Sequence, residues 1–221
     1  METNKPKLNF LDRFYSFLVR HREQTITVFK ILYLILAAFL FIASRSTYIG
    51  DEQAIVNYER ALLSGKLAIV MYIFTTLPGI FKRFGIRHKL LSLLMIYRRY
   101  IGITMYMLVL IHFWVVKGVG ILFRALPLFP LVLFQAMGAI AATLLLFLFI
   151  TSNDFMLSKL KVWWYRIHKL TYIAVWFIFL HVALQRLSIW TVLIGLTAVA
   201  QISSHLYGRL HKSTLPNIQP Q

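Results

Sequence analysis

No cysteine occurs anywhere in the 221 residues. That absence excludes thiol catalysis, iron–sulfur clusters, covalently attached haem of the c type and every disulfide. Acidic residues are scarce too. Seven Asp and Glu stand against 24 Lys and Arg, for a formal net charge of +17. No internal repeat and no low-complexity tract is visible. No cleavable signal peptide is expected, because the first apolar run begins near Thr25, after a long basic segment.

What the chain has is apolar length. Hydrophobic residues make up 59% and aromatics 15%, and the mean hydropathy is +0.71. This composition does not describe a soluble domain. It provides for several membrane spans and leaves little for a second domain. In a soluble protein the positive charge would suggest nucleic acid. Here it is concentrated in short loops between apolar runs, which is the positive-inside pattern, so no nucleic-acid partner is expected and membrane lipid is.

Six spans are expected, at about 25–44, 61–81, 100–116, within 125–153, 163–185 and 187–207. The first two have short charge-free cores, each extended by one lysine that can snorkel, Lys30 and Lys66. Pro78-Gly79 is expected to end or kink the second span, and Pro127 and Pro130 to mark the start of the fourth. Almost no loop separates the fifth from the sixth, so these two should form an antiparallel hairpin. Before the first span, Phe10, Leu11, Phe14, Phe17 and Leu18 recur at helical spacing opposite Arg13, Ser16 and Arg20, the pattern of a helix lying in the membrane interface.

Lys and Arg cluster in the N-terminal segment, the 82–99 loop, the 159–169 stretch and the tail. The opposite side carries only Arg45, Arg60, Lys66, Lys117, Arg124 and Arg186. The expected fold is therefore an all-α membrane protein, a six-transmembrane helical bundle with both termini cytoplasmic. It divides into an interfacial amphipathic segment (1–24), a transmembrane domain (25–208) and a cytoplasmic tail (209–221).

Three of the histidines inside this apolar frame stand out. His112 lies in the third span, within a charge-free run from Tyr100 to Val116, and His168 and His181 lie in the fifth. An imidazole in a membrane helix is costly unless paired or bound, which makes each a functional candidate. At 1.5 Å per residue His112 lies about 20 Å beyond Arg99. His181 reaches a similar depth, because both spans run from inside to outside. These two could clamp one metal cofactor between helices. Haem b suits the pair, since it needs axial imidazoles, an apolar slot and basic groups for its propionates, and no cysteine.

His168 lies near the inner boundary, with His205, Arg98 or Arg99 as its available company. On one straight helix His168 and His181 would point roughly 140° apart. Arg98 shares a face with His112 and stands where an inner ligand on the third span would be needed. A guanidinium is a poor iron ligand but suits a propionate or a flavin phosphate. The inner site is thus either a second haem on His168 or the docking point of an electron donor. Lys66 is expected either near the outer haem propionates or simply snorkelling.

Three stretches resemble the ferric-reductase-like transmembrane domain family. The first is Gly65-Lys66-Leu67-Ala68, with Thr76-Leu77-Pro78 at the end of that span. The second is Tyr97-Arg98-Arg99-Tyr100-Ile101-Gly102 followed by His112. The third is Thr151-Ser152-Asn153-Asp154, then Trp163 or Trp164, His168-Lys169-Leu170, Tyr172 and His181. Within that family the chain is most similar to the short haem-binding membrane subunit of the periplasmic methionine sulfoxide reductase system. Ile167, where leucine is usual, and a longer N-terminal segment depart from the pattern.

The resemblance covers roughly residues 60–210. It implies a b-type cytochrome of the cell inner membrane, with His112, His168 and His181 as candidate iron ligands and an electron donor that is a cytoplasmic flavin reductase carrying FMN or FAD, or the quinone pool. It implies a periplasmic reductase subunit as the outer acceptor. Two other classes remain. One is a small solute or proton transporter that uses the intramembrane histidines, against which stand the lack of an inverted repeat and of charge in the cores of spans three to six. The other is a membrane scaffold without cofactor.

Overall fold

The structure, a computed structural model, describes residues 9–123 and 131–212. Ten α-helices follow in order among these: α1 (Phe10–Arg20), α2 (Arg22–Ile49), α3 (Gln53–Arg83), α4 (Lys89–Phe113), α5 (Val119–Phe123), α6 (Leu133–Ile150), α7 (Asp154–Leu160), α8 (Val162–His168), α9 (Thr171–Gln185) and α10 (Ile189–Lys212). A π-helical turn, Trp114–Gly118, joins α4 to α5. Pro127 and Pro130, expected at the start of the fourth span, lie outside the described residues, as do Arg124 and the end of the tail.

Six helical stretches are long and apolar enough to cross a membrane: α2, α3, α4 continued to Ile121, α6, α8 with α9, and α10. The 28 residues of α2 rise about 42 Å, against a hydrocarbon core of about 30 Å. The helix ends where Gly50 takes a left-handed φ of 76° and its N–H closes on Ser46 O at 2.8 Å. Asp51 then accepts from Gln53 N at 3.0 Å as α3 begins.

Two expectations are corrected. Pro78 does not end its helix, since α3 runs on to Arg83 with Pro78 buried inside it. A proline removes one ladder bond, but this stretch sits between Tyr72 and Ile80, both buried, and packing holds the helix through the gap. The fifth span is also not one straight helix. Between α8 and α9 the bonds Lys169 N to Arg166 O, Leu170 N to Ile167 O, Tyr172 N to Lys169 O and Ile173 N to Leu170 O all skip three residues, at 2.9–3.1 Å. Each such residue turns about 120° instead of 100°. The tightened turn therefore changes the phase of His168 relative to His181 from that of one straight helix.

The helices close into a ring. Neighbours in order are α3, α10, α9, α6, α4 and back to α3, with α3–α4 and α6–α9 the two most extensive pairs. Its centre is filled by Tyr72, Met105, Leu108, Leu145, Val175 and Ile194, contributed by all five helices. Helix α2 stands outside, against α3 and α4. The expected hairpin is present, with three residues between α9 and α10 and the two helices in contact. The N-terminal amphipathic stretch is a helix, as expected. Tyr97 donates to Leu18 O at 2.7 Å and Lys89 pairs with Asp12, tying α1 to the start of α4.

Candidate functional site

His112 is the penultimate residue of α4 and lies against α3. His181 lies on α9 against α6. Each of the two most extensive helix pairs thus contributes one imidazole. The rings meet across the bundle with centroids 6.3 Å apart and planes inclined at 73°. Two imidazoles on one metal at roughly 2 Å bonds would hold their centroids about 6.4 Å apart. A π turn opens at Trp114, two residues after His112, a distortion that recurs at functional sites.

Both rings are oriented in the same way. His112 Nδ1 lies 3.0 Å from Ala61 O, and His181 Nδ1 lies 2.7 Å from Phe134 O. A carbonyl can only accept, so Nδ1 carries the proton in each and donates it. Nε2 is left with its lone pair, the state required of a metal-ligating histidine whose other nitrogen is anchored.

A second regularity explains how a side chain reaches a carbonyl already inside a helix. Ala61 is followed four residues on by Gly65, and Phe134 by Gly138. A Cβ on Gly65 would lie 2.9 Å from His112 Nδ1, and one on Gly138 would lie 2.6 Å from His181 Nδ1 and 2.8 Å from its Cε1. The helix carbonyl of residue i points toward residue i+4. Without a Cβ there, an imidazole ring can lie directly against the helix beside that carbonyl, and Ala61 O accepts from Ser64 Oγ as well, at 2.7 Å. Each carbonyl and its glycine form one notch, and each notch seats one imidazole.

His168, the last residue of α8, is held differently. Its Nε2 lies 3.2 Å from Thr151 Oγ1, and its ring stacks on Trp164 at 3.9 Å. Thr151 donates its single hydroxyl proton to Phe147 O at 2.7 Å, so it accepts from His168 Nε2–H. Trp164 Nε1 also bonds Thr151 O, at 2.8 Å. His168 and His181 therefore contact opposite ends of α6, about 25 Å apart along that helix. His205, one expected companion of His168, instead meets the Tyr172 ring edge-on at 4.5 Å.

The paired arginines separate. Arg99 donates from Nε to Ser152 O at 2.9 Å and pairs with Asp154 at 2.6 Å, joining α4 to the start of α7. Arg98 makes no hydrogen bond or ion pair among the described residues and lines a cavity with Arg83. Lys66 is exposed on α3, next in sequence to Gly65, and forms no ion pair among the described residues.

Sequence reasoning missed Gly138, Phe134 and Ala61, and read Gly65 only as part of a motif. The available signal was an isolated glycine inside an apolar helix. Of the aromatics near the histidines, the Phe134 ring lies against His181 with centroids 5.9 Å apart, while Phe113 and Trp176 are 39% and 37% exposed.

Comparison with protein-family models, curated proteins and solved structures finds no match to this chain.

Proposed function

We propose that the chain is a membrane cytochrome that holds haem b between His112 and His181 and carries electrons across the cell inner membrane. The observation that carries this reading is the matched pair of imidazoles. They lie 6.3 Å apart, each with Nδ1 fixed on a backbone carbonyl and each seated on a glycine. A transporter that used these histidines as proton relays would need both nitrogens to exchange protons. Anchoring Nδ1 on a carbonyl in both opposes that use.

Haem b bound there supplies one-electron redox chemistry at its iron. The chain's own part is to offer two Nε2 lone pairs at fixed separation and to keep them from rotating away. Apolar side chains, including Ile111 and Val115 beside His112, exclude water from that end of the site. Lys66 is the basic group assigned to the propionates. With the termini cytoplasmic, donors are met at the end carrying Arg98, Arg99 and His168, by a flavin reductase or by quinol. The acceptor is met at the end carrying His112 and His181, and a periplasmic reductase such as methionine sulfoxide reductase is the proposed partner.

An absorption spectrum of the purified protein, oxidised and then reduced with dithionite, tests the reading. A Soret band that sharpens and shifts on reduction, with a low-spin six-coordinate signature, is expected. Protein purified from haem-replete cells without a Soret band overturns it.

A further inference from the structure

Where α3, α4, α9 and α10 meet, at the end of the bundle away from the histidine pair, a cavity of about 30 Å³ opens. Its polar lining is Thr76, Arg83, Arg98, Thr171, Tyr172 and Gln201. Gln201 is only 2% exposed, and although the Tyr72 hydroxyl lies beside it, that proton goes to Thr171 O and neither Nε2 nor Oε1 of Gln201 makes a hydrogen bond of normal geometry. Buried amides are rarely left so, and each case asks for a missing partner.

The charges ask for the same thing. Arg83 donates to the Tyr172 hydroxyl and, at 3.3 Å, to Ser204 Oγ, both neutral groups. Arg98 has no partner among the described residues. The ion pairs found there, Lys89–Asp12 and Arg99–Asp154, involve neither. Arg83 is half-buried and Arg98 exposed, and the two guanidiniums edge one small polar cavity whose lining contains no carboxylate. Guanidiniums, an amide N–H₂ and hydroxyls are the donor set that binds an oxyanion. The volume accommodates about two waters, enough for the oxygen face of a phosphate and too little for a flavin or porphyrin ring.

We infer that this cavity is an oxyanion site that takes a phosphate group, presented by an anionic phospholipid or as free phosphate. The bound oxygens satisfy Arg83, Arg98 and Gln201 Nε2 together. The proposal does not depend on the haem reading, since none of these residues belongs to the histidine pair.

Thermal unfolding of the purified full chain tests it. One arm adds inorganic phosphate against chloride at matched ionic strength, in neutral detergent. The other compares nanodiscs containing phosphatidylglycerol with nanodiscs of phosphatidylcholine alone. An upward shift of about 5 °C is expected on saturation. A shift with phosphate in detergent assigns the site to the free ion, and a shift only with phosphatidylglycerol assigns it to the lipid. Arg98→Gln, which breaks no internal bond, should abolish the shift. Gln201→Met should raise the ligand-free midpoint, because it removes two unpaired buried atoms, and should also abolish the shift. No shift in either arm overturns the site, as does an equal shift in Arg98→Gln. A lower ligand-free midpoint in Gln201→Met makes that residue a packing element and also counts against it.

Discussion

The two ends of α6 each meet a histidine, and they treat it in opposite ways. At Phe134 the backbone carbonyl takes the proton of His181 Nδ1 and leaves Nε2 free, and His112 is held in the same manner from the facing helix pair. At Thr151 a hydroxyl takes the proton of His168 Nε2, and the ring lies flat on Trp164. The first end brings two imidazoles, each anchored through Nδ1, to 6.3 Å between ring centroids. The second presents one histidine with its Nε2 occupied, near Arg98. An intramembrane histidine is thus not by itself a ligand. The group that anchors its other nitrogen decides what it can bind.

The largest effect that could break this comparison is loss of one of the two imidazoles proposed to hold haem. His112→Ala and His181→Ala should each abolish haem binding or leave five-coordinate iron, read from the visible spectrum and haem content. If both variants keep a six-coordinate low-spin spectrum and full haem, the two imidazoles do not share one iron.

Next come the notches. Gly138→Ala places a Cβ 2.6 Å from His181 Nδ1, and Gly65→Ala places one 2.9 Å from His112 Nδ1. Displacing the ring also frees its carbonyl, and loss of such support weakens metal binding by about 10–100-fold. Haem retention measured by transfer to apomyoglobin should fall in both, and more in Gly138→Ala. Unchanged retention in both would show that the glycines merely accompany the site.

His168→Ala sharpens the contrast from the other end. A haem-to-protein ratio near one, unaltered by the substitution but with slower reduction by the donor, is expected. A ratio near two that falls to one would make His168 a ligand and require Thr151 to release it on binding.

The smallest effect belongs to Lys66. Lys66→Gln should move the redox midpoint modestly, because an exposed ammonium near the propionates is screened by solvent. An unmoved midpoint would mean that Lys66 only snorkels.

The six spans, the hairpin after Gln185 and the equal depth of His112 and His181 were legible in the sequence. Each depends on local quantities: hydropathy over about twenty residues, loop length, and rise per residue. Whether α3 would end at Pro78 or run on through it was left open by the sequence, because packing from distant residues can offset a local breaker. The phase of His168 relative to His181 was not legible either, because it rests on four backbone bonds that tighten one turn. Nor could the sequence show that Ala61 with Gly65, and Phe134 with Gly138, would receive the imidazoles, or that Arg83, Arg98 and Gln201 would share a cavity. Those pairings join residues many tens of positions apart. They exist only once α3–α4 and α6–α9 have packed and α10 has closed the ring, which composition and spacing do not encode.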